Sequence, residues 1–138
     1  MKSVLIDSGP LVAFLDRRDH WHRWAARHFK NAAAPFLTCD AVLTESCFLL
    51  AEVPGSTRRL LELIERDVIR PVFAAGQEAV AILTLMDRYA SVPMSFADAC
   101  LVRMSELLLN ATVFTTDSDF RIYRRNKRQA IPMLCPFS

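Results

Sequence analysis

The chain is poor in glycine and lysine and contains no long apolar run. Only 3 of its 138 residues are glycine, and neither Gly-x-Gly-x-x-Gly nor Gly-Lys-Ser/Thr occurs. That excludes the loops that cradle dinucleotide or nucleotide phosphates. No apolar stretch reaches the roughly 18 residues that a membrane span needs. Asp7 interrupts the first apolar stretch where a signal peptide would continue it. The 4 cysteines show no Cys-x-x-Cys spacing, which argues against both a zinc site and a disulfide framework. Cys47, Cys100 and Cys135 lie in apolar surroundings and Cys39 does not, so reduced, mostly buried thiols are expected. His20, His22 and His28 fall in one helical segment; their spacing makes no metal triad, and no strand-end serine stands near them for a hydrolase triad. The chain reads as soluble and cytoplasmic.

What is present is a core. The hydrophobic fraction is 52% and the mean hydropathy +0.19, enough for one globular domain over 1–138 and against disorder. Residues 2–6 read as a wholly apolar strand of the kind buried on both faces of a parallel sheet. Ser8 caps a following helix, with Pro10 in its first turn. Further helices are expected over 20–33, from a cap at Asp40 to about Val53, from Ser56, over 77–90 along Val80, Leu83 and Met86, and from Ser95 to Asn110. Strands are expected at 36–38, at 68–73 (an edge strand because of Pro71), at 111–116 and at 130–134, with a short turn or helix at 118–124. Strands alternating with helices imply an α/β fold: a parallel sheet covered by helices on both faces. Strands 2–6 and 112–116 should be its central neighbours.

Charge is unevenly placed. The net charge is +2, yet Arg121, Arg124, Arg125, Lys127 and Arg128 crowd into one short run, and Arg17-Arg18 and Arg58-Arg59 add pairs. Such clusters suit a polyanion, although a solvated helix end and loop explains the 121–128 run as well.

Four acids stand where strands end or helices begin. Asp7 follows Val4-Leu5-Ile6, Asp117 follows Val113-Phe114-Thr115-Thr116, and Glu45 and Asp98 lie in two apolar helices. Each has an ordinary explanation alone. Asp98 completes a capping box with Ser95, Asp117 and Asp119 suit a turn, and Glu45 can lie on a solvated face. Asp7 is hardest to dismiss, because a carboxylate ending a buried strand is costly without a partner. Carboxylates within about 5 Å repel by about 3 kcal/mol per pair at an effective dielectric near 20. Several such pairs would exceed a domain's net stability of about 5–15 kcal/mol. With no lysine or arginine beside Asp7 or Glu45, an oxygen-only cage is best neutralised by a hard cation, Mg2+ or Mn2+.

The set Ile6-Asp7-Ser8, Glu45, Ser95-Phe96-Ala97-Asp98-Ala99 and Thr115-Thr116-Asp117-Ser118-Asp119-Phe120 closely resembles the PIN-domain ribonucleases, most of all VapC-type toxins of toxin–antitoxin pairs. The resemblance covers essentially the whole chain. It implies a three-layer sandwich around a parallel sheet of about five strands. It also implies Mg2+- or Mn2+-dependent endonuclease chemistry on RNA, frequent homodimers and inhibition by an antitoxin. By position, Asp7, Glu45, Asp98 and Asp117 carry the acidic quartet, with Asp7, Asp98 and Asp117 as metal ligands. Ser8 and Thr115 match supporting positions, and Asp119 is an extra acid that either joins the cluster or faces solvent. The 121–128 cations, with Arg17 and Arg18 as further candidates, are expected to hold flanking phosphates. Two other classes compete: a phosphotransfer or phosphatase-like α/β protein, and a binding module keeping the fold without the chemistry. The first needs a lysine near a nucleophilic Asp, or a second Asp two residues on. Position 9 is Gly, and the only lysines are Lys2, Lys30 and Lys127.

Overall fold

A computed structural model describes residues 2–137; positions 1 and 138, the outermost of the expected 1–138 domain, lie outside the described residues. The strands are β1 (Ser3–Ile6), β2 (Phe36–Thr38), β3 (Ile69–Pro71), β4 (Ala111–Phe114), β5 (Arg124–Arg125), β6 (Gln129–Ala130) and β7 (Met133–Leu134). The helices are α1 (Ser8–Leu15), α2 (His22–Lys30), α3 (Asp40–Leu49), α4 (Ser56–Glu65), α5 (Ala79–Arg88) and α6 (Phe96–Leu107). Five strands form one parallel sheet in the order β3-β2-β1-β4-β7. The fold is thus the expected α/β sandwich with a five-stranded core. Among the described residues, no helix is long and apolar enough to cross a membrane.

Strand order places the site. From β1 the chain moves outward through β2 to β3; from β4 it moves the other way to β7. The order reverses between β1 and β4, which pair from Ser3↔Ala111 to Ile6↔Phe114. A crevice opens at such a reversal, beyond the carboxyl ends of the strands. Asp7 and Asp117 leave the two strands at that end.

The layers follow from alternation along the strands. Leu5 and Val113 join one buried cluster with Ile82, Leu85, Leu101 and Tyr123; Ile6 and Phe114 join another with Leu11, Phe29, Leu50 and Leu60. Helices α5 and α6 therefore cover one face and α1, α2 and α4 the other, while α3 supplies Val42 to the first cluster and Leu50, at its C-cap, joins the second.

Local expectations are corrected in several places. Asp7, not Ser8, caps α1, accepting a hydrogen bond from the Ser8 backbone N–H. Cys39 holds the cap position of α3 without a side-chain bond, and Asp40 begins the helix itself; α3 ends at Leu49, and α2 is shorter than 20–33. Helix α5 buries Ile82 and Leu85, while Val80 and Leu83 stand 82% and 62% exposed. The 77–90 stretch opens as a 3-10 turn, Ala75–Glu78. Cys39, expected outside the apolar set, is buried, and all four thiols are free.

The largest departure is at 118–134. A 3-10 turn, Ser118–Arg121, leads into an antiparallel hairpin of β5 and β6. The single strand expected at 130–134 is divided: its start belongs to the hairpin and its end to the main sheet. Asn126 and Lys127 take left-handed conformations at the hairpin tip, with φ of 49° and 72°, a turn for which Asn is better suited than Lys.

Candidate active site

Each acid is delivered by a different element. Asp7 leaves β1, and its backbone N–H still bonds the Phe114 carbonyl of β4 at 2.9 Å. Its side chain is spoken for on both oxygens: Oδ1 accepts from the Ser8 N–H at 2.8 Å, and Oδ2 from the Thr115 hydroxyl at 2.7 Å. The same Thr115 oxygen accepts the Asp117 backbone N–H at 2.9 Å. One buried hydroxyl therefore ties the acid after β1 to the acid after β4.

Glu45 reaches the cluster from α3. Its Oε1 accepts a short hydrogen bond from the Ser8 hydroxyl, so Ser8 supports a neighbouring acid rather than capping its own helix. Asp98 does two jobs at once. It forms a reciprocal capping box with Ser95, and its Oδ2 accepts the Tyr123 phenol O–H at 3.0 Å. The expected helix-cap role of Asp98 is present, together with a bond to a distant side chain. Asp117 caps the 3-10 turn by accepting the Asp119 N–H at 2.9 Å.

The electrostatics show that these acids feel one another. Asp7 is only 4% exposed. Burial pushes its carboxyl up to about 7, the charges of Asp98 and Glu45 add to the rise, and the Thr115 and Ser8 hydrogen bonds oppose it. Asp98 is also raised, by burial first and by Asp117, against the Tyr123 bond. The Tyr123 phenol is raised by burial and by Asp98, Asp119 and Asp117. The ion pairs of Arg18, Arg58, Arg66, Arg70 and Arg103 use Asp16, Glu62, Asp67, Glu78 and Glu106 rather than the quartet.

The donor set is all oxygen, from carboxylates and hydroxyls, which fits a hard divalent cation better than zinc or copper. The rise at Asp7 and Asp98 comes first from burial, with the neighbouring acids adding to it. As the side chains stand, no three acidic, histidine or cysteine groups among the described residues are gathered closely enough to hold an ion. Glu45, Asp98 and Asp117 are half-buried.

The expected phosphate-holding residues take varied positions. Arg121 is exposed and lies over the Phe137 ring at 4.4 Å. Arg124 turns back, donating from one guanidinium nitrogen to the carbonyls of Arg121, Ile122 and Tyr123. Arg125 is half-buried, with Nε and Nη1 making no hydrogen bond. Lys127 and Arg128 are exposed at the hairpin tip. That tip is held to α6 by Glu106, which accepts the Asn126 N–H at 2.7 Å and pairs with Arg103. Arg17 and Arg18 stand beyond the far end of α1 from Asp7, about 12 Å along a helix of this length. Arg17 lines a separate cavity of about 420 Å³ with Phe14, His22, Arg59 and Arg66.

Sequence reasoning missed Tyr123. It lies inside a basic run that reads as surface, yet it is fully buried. Only the hairpin that follows, which folds the chain back against α6, could have revealed it.

Comparison with known proteins gives two findings. The family model of the PIN domain matches residues 4–126. The crystal structure of Mycobacterium tuberculosis VapC20, described as a Sarcin-Ricin loop cleaving toxin, superimposes with a TM-score of 0.70 at 21% identity, covering 85% of this chain and 92% of that one. None of the curated proteins compared matches the sequence.

Proposed function

Since the chain belongs to the PIN domain family, we propose that it is a Mg2+- or Mn2+-dependent endoribonuclease, the toxin of a toxin–antitoxin pair. Asp7, Asp98 and Asp117 would hold the ion, and Glu45 would act as a further ligand or orient the attacking water. When bound, the ion lowers the pKa of that water and shields the phosphate. The protein's own share is positional. Thr115 fixes Asp7 and Asp117 relative to each other, Ser8 holds Glu45, and Tyr123 holds Asp98. Asp119 stays at the edge, its N–H fixing the Asp117 carboxylate. Lys127 and Arg128, with Arg121, are exposed on the segment that follows Asp117 and would hold flanking phosphates.

The observation that carries this reading is the Thr115 bridge between Asp7 and Asp117, beside Asp98 and Glu45, whose charges add to the rise of the Asp7 carboxyl. The likeness to VapC20, a Sarcin-Ricin loop cleaving toxin, supports a toxin role; an antitoxin partner and a cytoplasmic setting belong to the same proposal. The exposed Val80 and Leu83 of α5 support a homodimer. The test is cleavage of RNA by the purified chain with Mn2+ or Mg2+. Activity should disappear with chelator and in Asp7→Asn/Asp98→Asn; persistence in either case rejects the proposal.

A further inference from the structure

A groove of about 480 Å³ runs beside the acids, walled by Asp40, Ala41, Thr44 and Glu45 of α3 and by Ser95 and Phe96 at the start of α6. We propose that this groove is a nucleobase subsite, in which Phe96 stacks on a base next to the scissile phosphate and Asp40 and Thr44 read its edge. The inference rests on the nuclease reading above and names where that enzyme would choose its sequence.

Position comes first. Glu45 belongs to both the groove and the quartet, and Phe96 precedes Asp98 by two residues, so an occupant of the groove is adjacent to the reacting phosphate. On α3, Asp40 and Thr44, and Ala41 and Glu45, are four apart and so share one face. The groove is thus a continuous wall of the site.

Charge then decides what can lie there. Its lining contains two carboxylates and no lysine or arginine, which repels a phosphate. A base is neutral and flat, and it presents its amino groups at the edge. Phe96 stands 49% exposed and takes no part in either buried cluster. Capping of α6 is carried by Ser95 and Asp98 and makes no demand for an aromatic at position 96. An exposed ring offers a stacking face that accepts any base. The Asp40 carboxylate, exposed at the first position of α3, accepts only from donors. It favours guanine, whose N1–H and amino group can both donate to one carboxylate, over uracil, whose single N3–H lies between two oxygens. Phosphates and base would thereby meet different surfaces: the cationic hairpin that follows Tyr123 and the aromatic groove at Phe96.

The experiment uses the full chain carrying Asp7→Asn to suppress cleavage, with short single-stranded RNAs in which 2-aminopurine is moved one position at a time. Stacking should quench fluorescence at one position. Phe96→Ala and Phe96→Leu should abolish that quench and weaken binding about 10-fold or more, while Phe96→Tyr preserves both. An abasic nucleotide at the same position should cost as much as Phe96→Ala, with no further loss when the two are combined. Asp40→Asn should erase the preference against uracil there. The subsite is overturned if Phe96→Ala binds every RNA as tightly as its parent, or if its only effect is on self-association by light scattering, which would give the face to a second copy. If Phe96→Ala in the otherwise wild-type chain cleaves the same positions at the same kcat/KM, the subsite fails and the nuclease reading stands. If the wild-type chain neither binds nor cleaves RNA, both fail.

Discussion

Tyr123, with none of its surface in water, donates its phenol O–H to Oδ2 of Asp98 across 3.0 Å. The bond joins a residue at the foot of the basic hairpin to an acid in the first turn of α6, 25 positions earlier. The same oxygen also accepts the Ser95 backbone N–H at 3.4 Å. A change in the hairpin is therefore felt at the acids.

Tyr123→Phe keeps the ring in the core and removes only the donor. Partners of this kind cost about 10- to 100-fold in metal affinity when lost. Titration calorimetry with Mn2+ and no RNA present should show weakening in that range. Equal affinity for the variant and wild type would remove Tyr123 from any role in placing Asp98.

Asp7 links stability to pH. Its carboxyl rises from 3.8 to about 7 on folding, so the folded chain holds a proton that the unfolded chain has released. Its contribution is fully present below about pH 4 and is lost as pH rises through 7, a change of about 4 kcal/mol at most. In chelator, the difference in Tm between about pH 5.5 and pH 8 should shrink in Asp7→Asn. Mn2+ added to the wild type at the higher pH should raise Tm. A variant with the wild-type pH profile would show that Asp7 is not the group responsible.

Gly9 packs α1 against the exit of β4. A Cβ added there would lie 2.0 Å from the Thr116 Oγ1 and 3.2 Å from its Cβ. Gly9→Ala should destabilise by about 1–3 kcal/mol through overpacking, read as a lower denaturant midpoint. Adding Thr116→Ala should recover part of the loss, because the closest atom is removed. Unchanged stability in the single variant would mean that the two segments separate freely.

Lys127→Ala/Arg128→Ala should flatten the salt dependence of RNA binding. Each phosphate contact on a single strand contributes about 0.7 to the slope of log K against log salt. The double variant should lose about 1.4 from that slope if both residues contact phosphates. A slope equal to that of wild type would place the backbone elsewhere.

Much of the fold was legible because its signals are local. The apolar β1 and β4, the strand at 36–38, the proline-bearing edge strand and the Ser95–Asp98 capping box were all read from neighbouring residues. What eluded the reading depended on distant partners. Helix α5 carries two apolar stripes at helical spacing, Val80/Leu83 and Ile82/Leu85, and periodicity ranks them alike; the sheet receives the second. Ser8 has the chemistry of a cap and the position of one, but Asp7 takes the cap and frees the Ser8 hydroxyl for Glu45 on another helix.

The sequence by itself determined which residues carry negative charge at the ends of which elements, because strand and helix signals are short-range and the acids sit beside them. The tertiary structure alone decided that a threonine would bridge Asp7 to Asp117 across 108 and 2 positions, and that a tyrosine from a basic segment would turn inward to Asp98. Hydrogen bonds between residues so far apart depend on strand order and on the path of a hairpin. Those are set by how the buried faces pack together, which no local pattern contains.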